Sequence, residues 1–88
     1  MIHDIKIREN YACDVIRGKK TFEVRKNDRD YRVGDLLMMR VVSKDGIDAG
    51  ALVMATVSYI LSDPEYVKDG YVIMGLSDVK SYIREVGV

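Results

Sequence analysis

The sequence predicts an α+β fold that is mostly β: a partly closed barrel of five or six strands with two short helices. Stretches that alternate apolar and polar residues recur along the 88-residue chain, as is typical of half-buried strands. Only two segments carry apolar residues at helical spacing. A chain of this length suffices for one small core, so we expect residues 1–88 to form a single domain.

The first strand and the first helix follow each other directly. Residues 3–8 alternate, with isoleucines on the side that also carries His3, so we expect that side to face inward. From Glu9 to Arg17 the apolar residues change to helical spacing, and Gly18 is suited to end the helix.

Three further strands are predicted before the last loop. Residues 20–26 alternate again, and we expect Phe22 and Val24 to hold this strand to the core. The apolar run of residues 36–42 predicts a strand that is buried on both faces or closed into a barrel. Residues 51–61 are rich in Val, Ile, Thr and Tyr and predict a long strand.

The remaining elements are a hairpin turn, a last strand and a closing helix. The pair Asp45-Gly46 predicts a hairpin between the third and fourth strands. Residues 70–76 form the last predicted strand. After it, apolar residues at helical spacing predict a C-terminal helix that begins at Ser77 or Asp78 and ends at Val86.

Charge is distributed unevenly although the formal net charge is zero. Residues 17–32 hold seven basic and three acidic side chains, which leaves seven basic and eleven acidic ones elsewhere. Zero net charge argues against a protein that coats nucleic acid through bulk electrostatics. The local excess of positive charge fits a phosphate-binding site, and a solvated, salt-bridged surface is the alternative interpretation.

The residue counts exclude several classes of protein. One cysteine rules out a disulfide framework within the monomer, and one histidine rules out a cluster of histidine metal ligands. We therefore expect no metal and no cofactor. The sequence contains no apolar stretch that resembles a signal peptide or a membrane span, so we expect a cytoplasmic protein without membrane contact.

A stretch within residues 17–32, which we call the basic segment, carries a family resemblance. Residues 18–25, Gly-Lys-Lys-Thr-Phe-Glu-Val-Arg, match the G-x-K-x-x-E-x-R signature of ASCH domains, whose fold is related to the PUA domain. The longer pattern resembles the phage and bacterial proteins grouped as DUF3850. It comprises His3-Asp4-Ile5-Lys6-Ile7, Lys26-Asn27-Asp28-Arg29 and Val33-Gly34-Asp35. The resemblance covers the whole chain and is densest from residue 3 to residue 37.

The resemblance implies a PUA-like barrel whose signature residues line a cleft between the barrel and a helix. It also implies binding of RNA or of a modified nucleotide. Some ASCH proteins are hydrolases, and one group removes acyl groups from N4-acetylated cytidine with a threonine placed three residues after the signature lysine. In this sequence that position is Glu23, which departs from the hydrolase pattern.

The signature residues have side chains suited to a nucleotide. Strand alternation places Glu23 and Arg25 on one face, with Lys20 at the start of the strand, shortly after the glycine that ends the helix. Arg25 offers a planar fork of donors for phosphate, and Lys20 offers a point charge. Glu23 is able to accept a hydrogen bond from the exocyclic amine of a base. The alternative is an ion-pair network with a purely structural role.

Further candidates for the ligand site surround the signature: His3, Lys6, Asn27, Arg29 and Tyr31. For His3, a buried, hydrogen-bonded role and a role in the cleft both stay open. Tyr31 is the tyrosine of the basic segment and a candidate to stack on a base.

Three functions are consistent with the sequence. The leading hypothesis is a domain that binds RNA or a nucleotide through Lys20, Glu23 and Arg25. The first alternative is a small hydrolase of a modified nucleoside or RNA, with Lys20 and Glu23 as acid and base. The second alternative is a phage module that binds a host protein through the apolar face of the C-terminal helix.

Overall fold

The computed structural model describes residues 1–83 of the chain. This part contains five strands and one helix, and the predicted mostly-β fold is confirmed as a five-stranded, partly closed barrel. The elements are β1 (Ile2–Arg8), α1 (Glu9–Ile16), β2 (Phe22–Lys26), β3 (Leu36–Val42), β4 (Asp48–Leu61) and β5 (Tyr71–Ile83).

The strand order places the two earliest strands at opposite edges of the sheet. The order is β1-β3-β4-β5-β2, with β1 parallel to β3 and the other pairs antiparallel. The sheet curls so that these edges face each other. Arg25 of β2 donates a hydrogen bond to the carbonyl of Lys6 in β1, and Arg29 donates to the carbonyl of Asp4 at 3.0 Å. We call this gap between β1 and residues 22–29 the seam.

The core lies inside the curled sheet and includes one face of α1. Ala12 and Val15 of the helix are buried and belong to the same apolar cluster as the strand residues. The helix contacts β1, β3, β4 and β5. Gly18 follows the helix with φ of 76°, a left-handed conformation that glycine adopts without steric cost, so the predicted helix stop is confirmed.

The predicted hairpin between β3 and β4 is also confirmed. The N–H of Ser43 donates to the carbonyl of Ile47 at 2.8 Å, and Gly46 has a φ of 81°. Within residues 1–83, no helix is long and apolar enough to cross a membrane.

The alternation predicted for β2 is present, but the prediction that Phe22 and Val24 hold it to the core is wrong. Phe22 is 42% exposed and Val24 is 49% exposed, whereas Glu23 is only 3% exposed. Glu23 pairs with the buried Met74 of β5 and therefore faces the core. The opposite face of β2 was expected to be buried because it carries the apolar side chains. Alternation in the sequence does not show that a carboxylate on the other face has cationic partners that allow its burial.

The predicted C-terminal helix is wrong for residues 77–83, which continue β5 and pair with the first half of β4. Between Ser77 and Lys80 the β5 strand carries one extra residue, and Asp78 has a φ of 50°. Such a bulge shifts the two-residue alternation, so the apolar positions imitate helical spacing. The rest of the predicted helix lies outside the described residues. The helix face needed for the protein-interaction alternative is therefore absent from residues 77–83.

Candidate functional site

A cleft of about 650 Å³ opens at the seam where α1, β1 and β2 meet. We call it the seam cleft. Among the described residues, five cationic side chains and one carboxylate line it, together with apolar and aromatic groups. Its lining comprises Lys6, Ile7, Arg8, Tyr11, Lys20, Phe22, Glu23, Val24, Arg25, Lys26 and Val42. The lining is thus suited to an anionic ligand that also has apolar surface.

The three signature side chains are brought together in this cleft. Lys20 Nζ donates to Oε1 of Glu23, and Nε of Arg25 donates to Oε2 of the same carboxylate at 2.9 Å. The buried carboxylate thereby holds two cations at the wall of the cleft. These bonds form the ion-pair network that the alternative interpretation of the signature predicts. The same arrangement also presents both cations to the cleft.

Arg25 joins the two edges of the sheet. Its Nη2 donates to the carbonyl of Lys6, and its Nε is bonded to Glu23. A guanidinium carries five N–H donors, so the Nη1 amino group is not used by these two bonds. Arg25 is partly exposed and lines the cleft, so its guanidinium lies within reach of a ligand.

Two aromatic rings flank Lys20, and sequence reasoning missed both as site residues. The ammonium nitrogen lies 4.9 Å from the centre of the Tyr11 ring and 5.5 Å from that of Phe22. Both rings are exposed. Tyr11 comes from α1 and Phe22 from β2, so only the folded chain brings them together. The one available signal was that Phe22 lies within residues 18–25, at a position that the signature leaves open.

A second, smaller cleft of about 310 Å³ continues along the seam. We call it the Arg29 cleft. It shares Lys6, Arg25 and Lys26 with the seam cleft. Its lining comprises Asp4, Ile5, Lys6, Arg25, Lys26, Asp28, Arg29, Tyr31 and Arg40. Lys6 and Arg29, both predicted as site residues, therefore lie at the seam.

His3 and Tyr31 form a buried pair behind the seam. His3 is buried, as strand alternation predicts, and its ring centre lies 4.7 Å from that of Tyr31. Tyr31 is only 6% exposed, so its ring does not offer a free face for a base. Burial raises the pKa of the Tyr31 phenol, while the positive charges of Arg25 and Arg29 partly offset this rise.

Asp35 is the partner of His3, and the sequence analysis assigned it no chemistry. Its Oδ2 lies 2.7 Å from His3 Nε2 and accepts the backbone N–H of Arg32 at 3.0 Å. The hydrogen bond with His3 is the main cause that lowers the pKa of Asp35 to about 2, and the hydrogen bond from the backbone N–H of Arg32 is the second. The pair joins β1 to the residue before β3, so the position of His3 reflects a structural contact.

Asn27 lies outside the linings of both clefts. Its backbone N–H donates to the carbonyl of Gly70 at 2.8 Å, which extends the pairing of β2 with β5 by one residue. Within residues 1–83, no group of three or more His, Cys, Asp or Glu side chains is arranged to hold a metal ion.

Comparison with known proteins assigns the chain to a family. A sequence model described as "Domain of unknown function (DUF3850)" matches residues 2–76, which include every residue of both clefts. The chain belongs to the DUF3850 family. This DUF3850 chain is also similar to a protein of Escherichia phage P2, described as an uncharacterized 12.9 kDa protein in the GpA 3′ region. The two are 33% identical over 73 residues, which cover 83% of this chain and 65% of the phage protein.

Proposed function

We propose that this DUF3850 protein binds RNA or a nucleotide in the seam cleft, as an ASCH domain with a PUA-like barrel. The observation that carries the proposal is the meeting of Lys20, Glu23 and Arg25 in one cleft beside two exposed aromatic rings. Cations that recognise phosphate and rings that stack on bases are the two components that single-stranded nucleic-acid sites combine.

Each group has a role that follows from its position. Arg25 meets a phosphate through its Nη1 amino group, and Lys6 and Arg8 add positive charge from β1. A base fits beside the rings of Tyr11 and Phe22, where apolar surface is exposed. Lys20 lies between these rings and the carboxylate, so it contacts base and phosphate alike.

Glu23 acts in this proposal as a positioning residue. Its two oxygens are engaged by Lys20 and Arg25, which orients both cations toward the cleft. The same bonds count against the hydrolase alternative, because a general base needs an oxygen directed at a water or at the substrate. We place this binding function in the cytoplasm, since a fold with one cysteine is compatible with a reducing compartment.

Titration of the purified protein with short RNAs and with nucleoside monophosphates tests the proposal. Lys20→Ala and Arg25→Ala should each weaken binding about tenfold, and weaken it most at low salt. Arg32→Ala is the matched control, because Arg32 belongs to the same basic segment but lies outside both clefts. Absence of binding by the wild type, or variants that bind like the wild type, would overturn the assignment.

A parallel incubation separates binding from hydrolysis. N4-acetylcytidine and RNA are incubated with the wild type and with Glu23→Gln, and the products are analysed by chromatography. The binding function predicts no turnover by either protein. Turnover that Glu23→Gln abolishes would instead support the hydrolase.

A further inference from the structure

The two clefts on the seam are neighbours with a common wall. Lys6, Arg25 and Lys26 line both of them. From this we propose that the seam binds one single strand across two subsites, so its preferred ligand is an oligonucleotide of at least two nucleotides. The inference rests on the proposed function and specifies its ligand.

The strand geometry of β1 sets the spacing of the subsites. Arg25 reaches the carbonyl of Lys6, and Arg29 reaches that of Asp4, two residues earlier on the same strand edge. Two residues of a strand span about 7 Å. The two guanidinium groups are therefore held one after the other along the seam, at a separation comparable to one nucleotide step.

The two subsites differ in chemistry. The seam cleft offers exposed rings at Tyr11 and Phe22, whereas the ring that lines the Arg29 cleft, Tyr31, is buried. The Arg29 cleft is less than half as large and carries guanidinium groups from Arg29 and Arg40. A base therefore enters the seam cleft, and the Arg29 cleft takes the phosphate and sugar of the adjoining nucleotide.

A single strand fits this arrangement better than a duplex. Stacking on Tyr11 or Phe22 requires a free face of the base, and in a duplex both faces are covered by neighbouring base pairs. Cationic groups line both of these adjoining clefts, as expected for contacts to one continuous backbone. Neither RNA nor DNA is excluded by this geometry, because both supply an anionic backbone and stackable bases.

The experiment compares ligands of increasing length on the full chain. The probes are 5′-UMP, the dinucleotide pUpU, r(U)8 and d(T)8, and affinity is measured by calorimetry at two salt concentrations. We expect pUpU to bind about tenfold more tightly than 5′-UMP. The ratio of r(U)8 to d(T)8 affinity then distinguishes an RNA from a DNA strand.

Variants of the Arg29 cleft identify the second subsite. Arg29→Gln and Arg40→Gln should each weaken the binding of pUpU about tenfold. The loss of affinity for 5′-UMP should be several times smaller. Each should also lower the salt slope of r(U)8 binding by about 0.7, the value for one lost phosphate contact to a single strand. Arg32→Gln is the control, and circular dichroism verifies that each variant is folded.

The outcomes separate this inference from the proposed function. Binding of 5′-UMP that depends on Lys20 and Arg25, with pUpU no tighter, would overturn the second subsite and leave the binding function intact. Equal losses for both ligands in the Arg29→Gln and Arg40→Gln variants would also overturn it. If none of the four probes binds, both the inference and the proposed function are wrong.

Discussion

Nε2 of His3 lies 2.7 Å from Oδ2 of Asp35, so a side chain of β1 is bonded to the residue that precedes β3. Both side chains are buried. The parallel pairing of β1 with β3 begins beside this contact, where Ile2 is aligned with Leu36. The contact therefore stabilises the only parallel strand pair in the described part of the sheet.

Removal of the histidine should destabilise the fold. His3→Ala leaves the buried Asp35 carboxylate without one of its partners, and we expect a loss of about 1–3 kcal/mol in the free energy of unfolding. Urea denaturation measures it. Ile2→Ala, at an exposed position of the same strand, is the control. A His3→Ala variant as stable as the control would show that the bond contributes nothing.

The low pKa of Asp35 predicts a specific acid sensitivity. The pKa is about 2 in the folded protein against an ordinary value of 3.8, so the unfolded chain binds more protons between these values. The stabilisation is complete above about pH 5 and is lost as the pH falls through 4 toward 2.

Asp35→Asn should therefore flatten the fall in stability between about pH 4 and pH 2, as measured by urea denaturation at a series of pH values. Asp69→Asn, in an exposed loop, is the control and should leave the profile unchanged. An Asp35→Asn profile parallel to that of the wild type would contradict the assignment of this pKa.

Loss of the central carboxylate of the signature should reduce stability as well as ligand affinity. Glu23→Gln removes the negative charge between Lys20 and Arg25 and leaves two cations close together. We expect a loss of about 2 kcal/mol, less than for a fully buried pair, because both cations keep some contact with water.

Thermal and urea unfolding measure this change, with Glu65→Gln in an exposed loop as the control. Raising the salt concentration should restore part of the lost stability by screening the two cations from each other. A Glu23→Gln variant with wild-type stability at low salt would show that the carboxylate does not hold the cations in place.

The aromatic rings of the seam cleft should matter for ligand binding and little for folding. Tyr11→Ala and Phe22→Ala should each weaken nucleotide binding by about five- to tenfold, the loss expected for one stacked base. Titration with 5′-UMP measures it. Tyr66→Ala is the control, because Tyr66 is also exposed but lies outside both clefts. Unchanged affinity in both cleft variants would place the base elsewhere.

The strands could be predicted because their residues alternate over short distances. β1, β3 and the start of β5 lie within a residue or two of their predicted positions, and so does α1. The predicted C-terminal helix is wrong over residues 77–83 because one bulge near Asp78 shifts the alternation. A bulge depends on how β5 pairs with β4, which is a long-range contact that local spacing does not contain.

The candidate site was predicted in part. The signature identified Lys20, Glu23 and Arg25, and the structure brings them together. Tyr11 was missed because it lies on a different element, and Asp35 because its partner His3 is 32 residues away in the chain. Tyr31 was a candidate to stack on a base, and in the structure its ring packs against His3. These differences all concern which side chains meet across the fold.

The local sequence pattern is sufficient to predict the class of this fold, most of its elements and the cluster of positive charge. Which face of β2 is buried was decided by tertiary structure, because Glu23 enters the interior only where Lys20 and Arg25 converge on it. The seam likewise exists only after β1 and β2 have become opposite edges of one curled sheet. The clefts between the two edges form only when the sheet closes. Closure depends on the strand order and on Arg25 and Arg29, whose side chains reach across the seam.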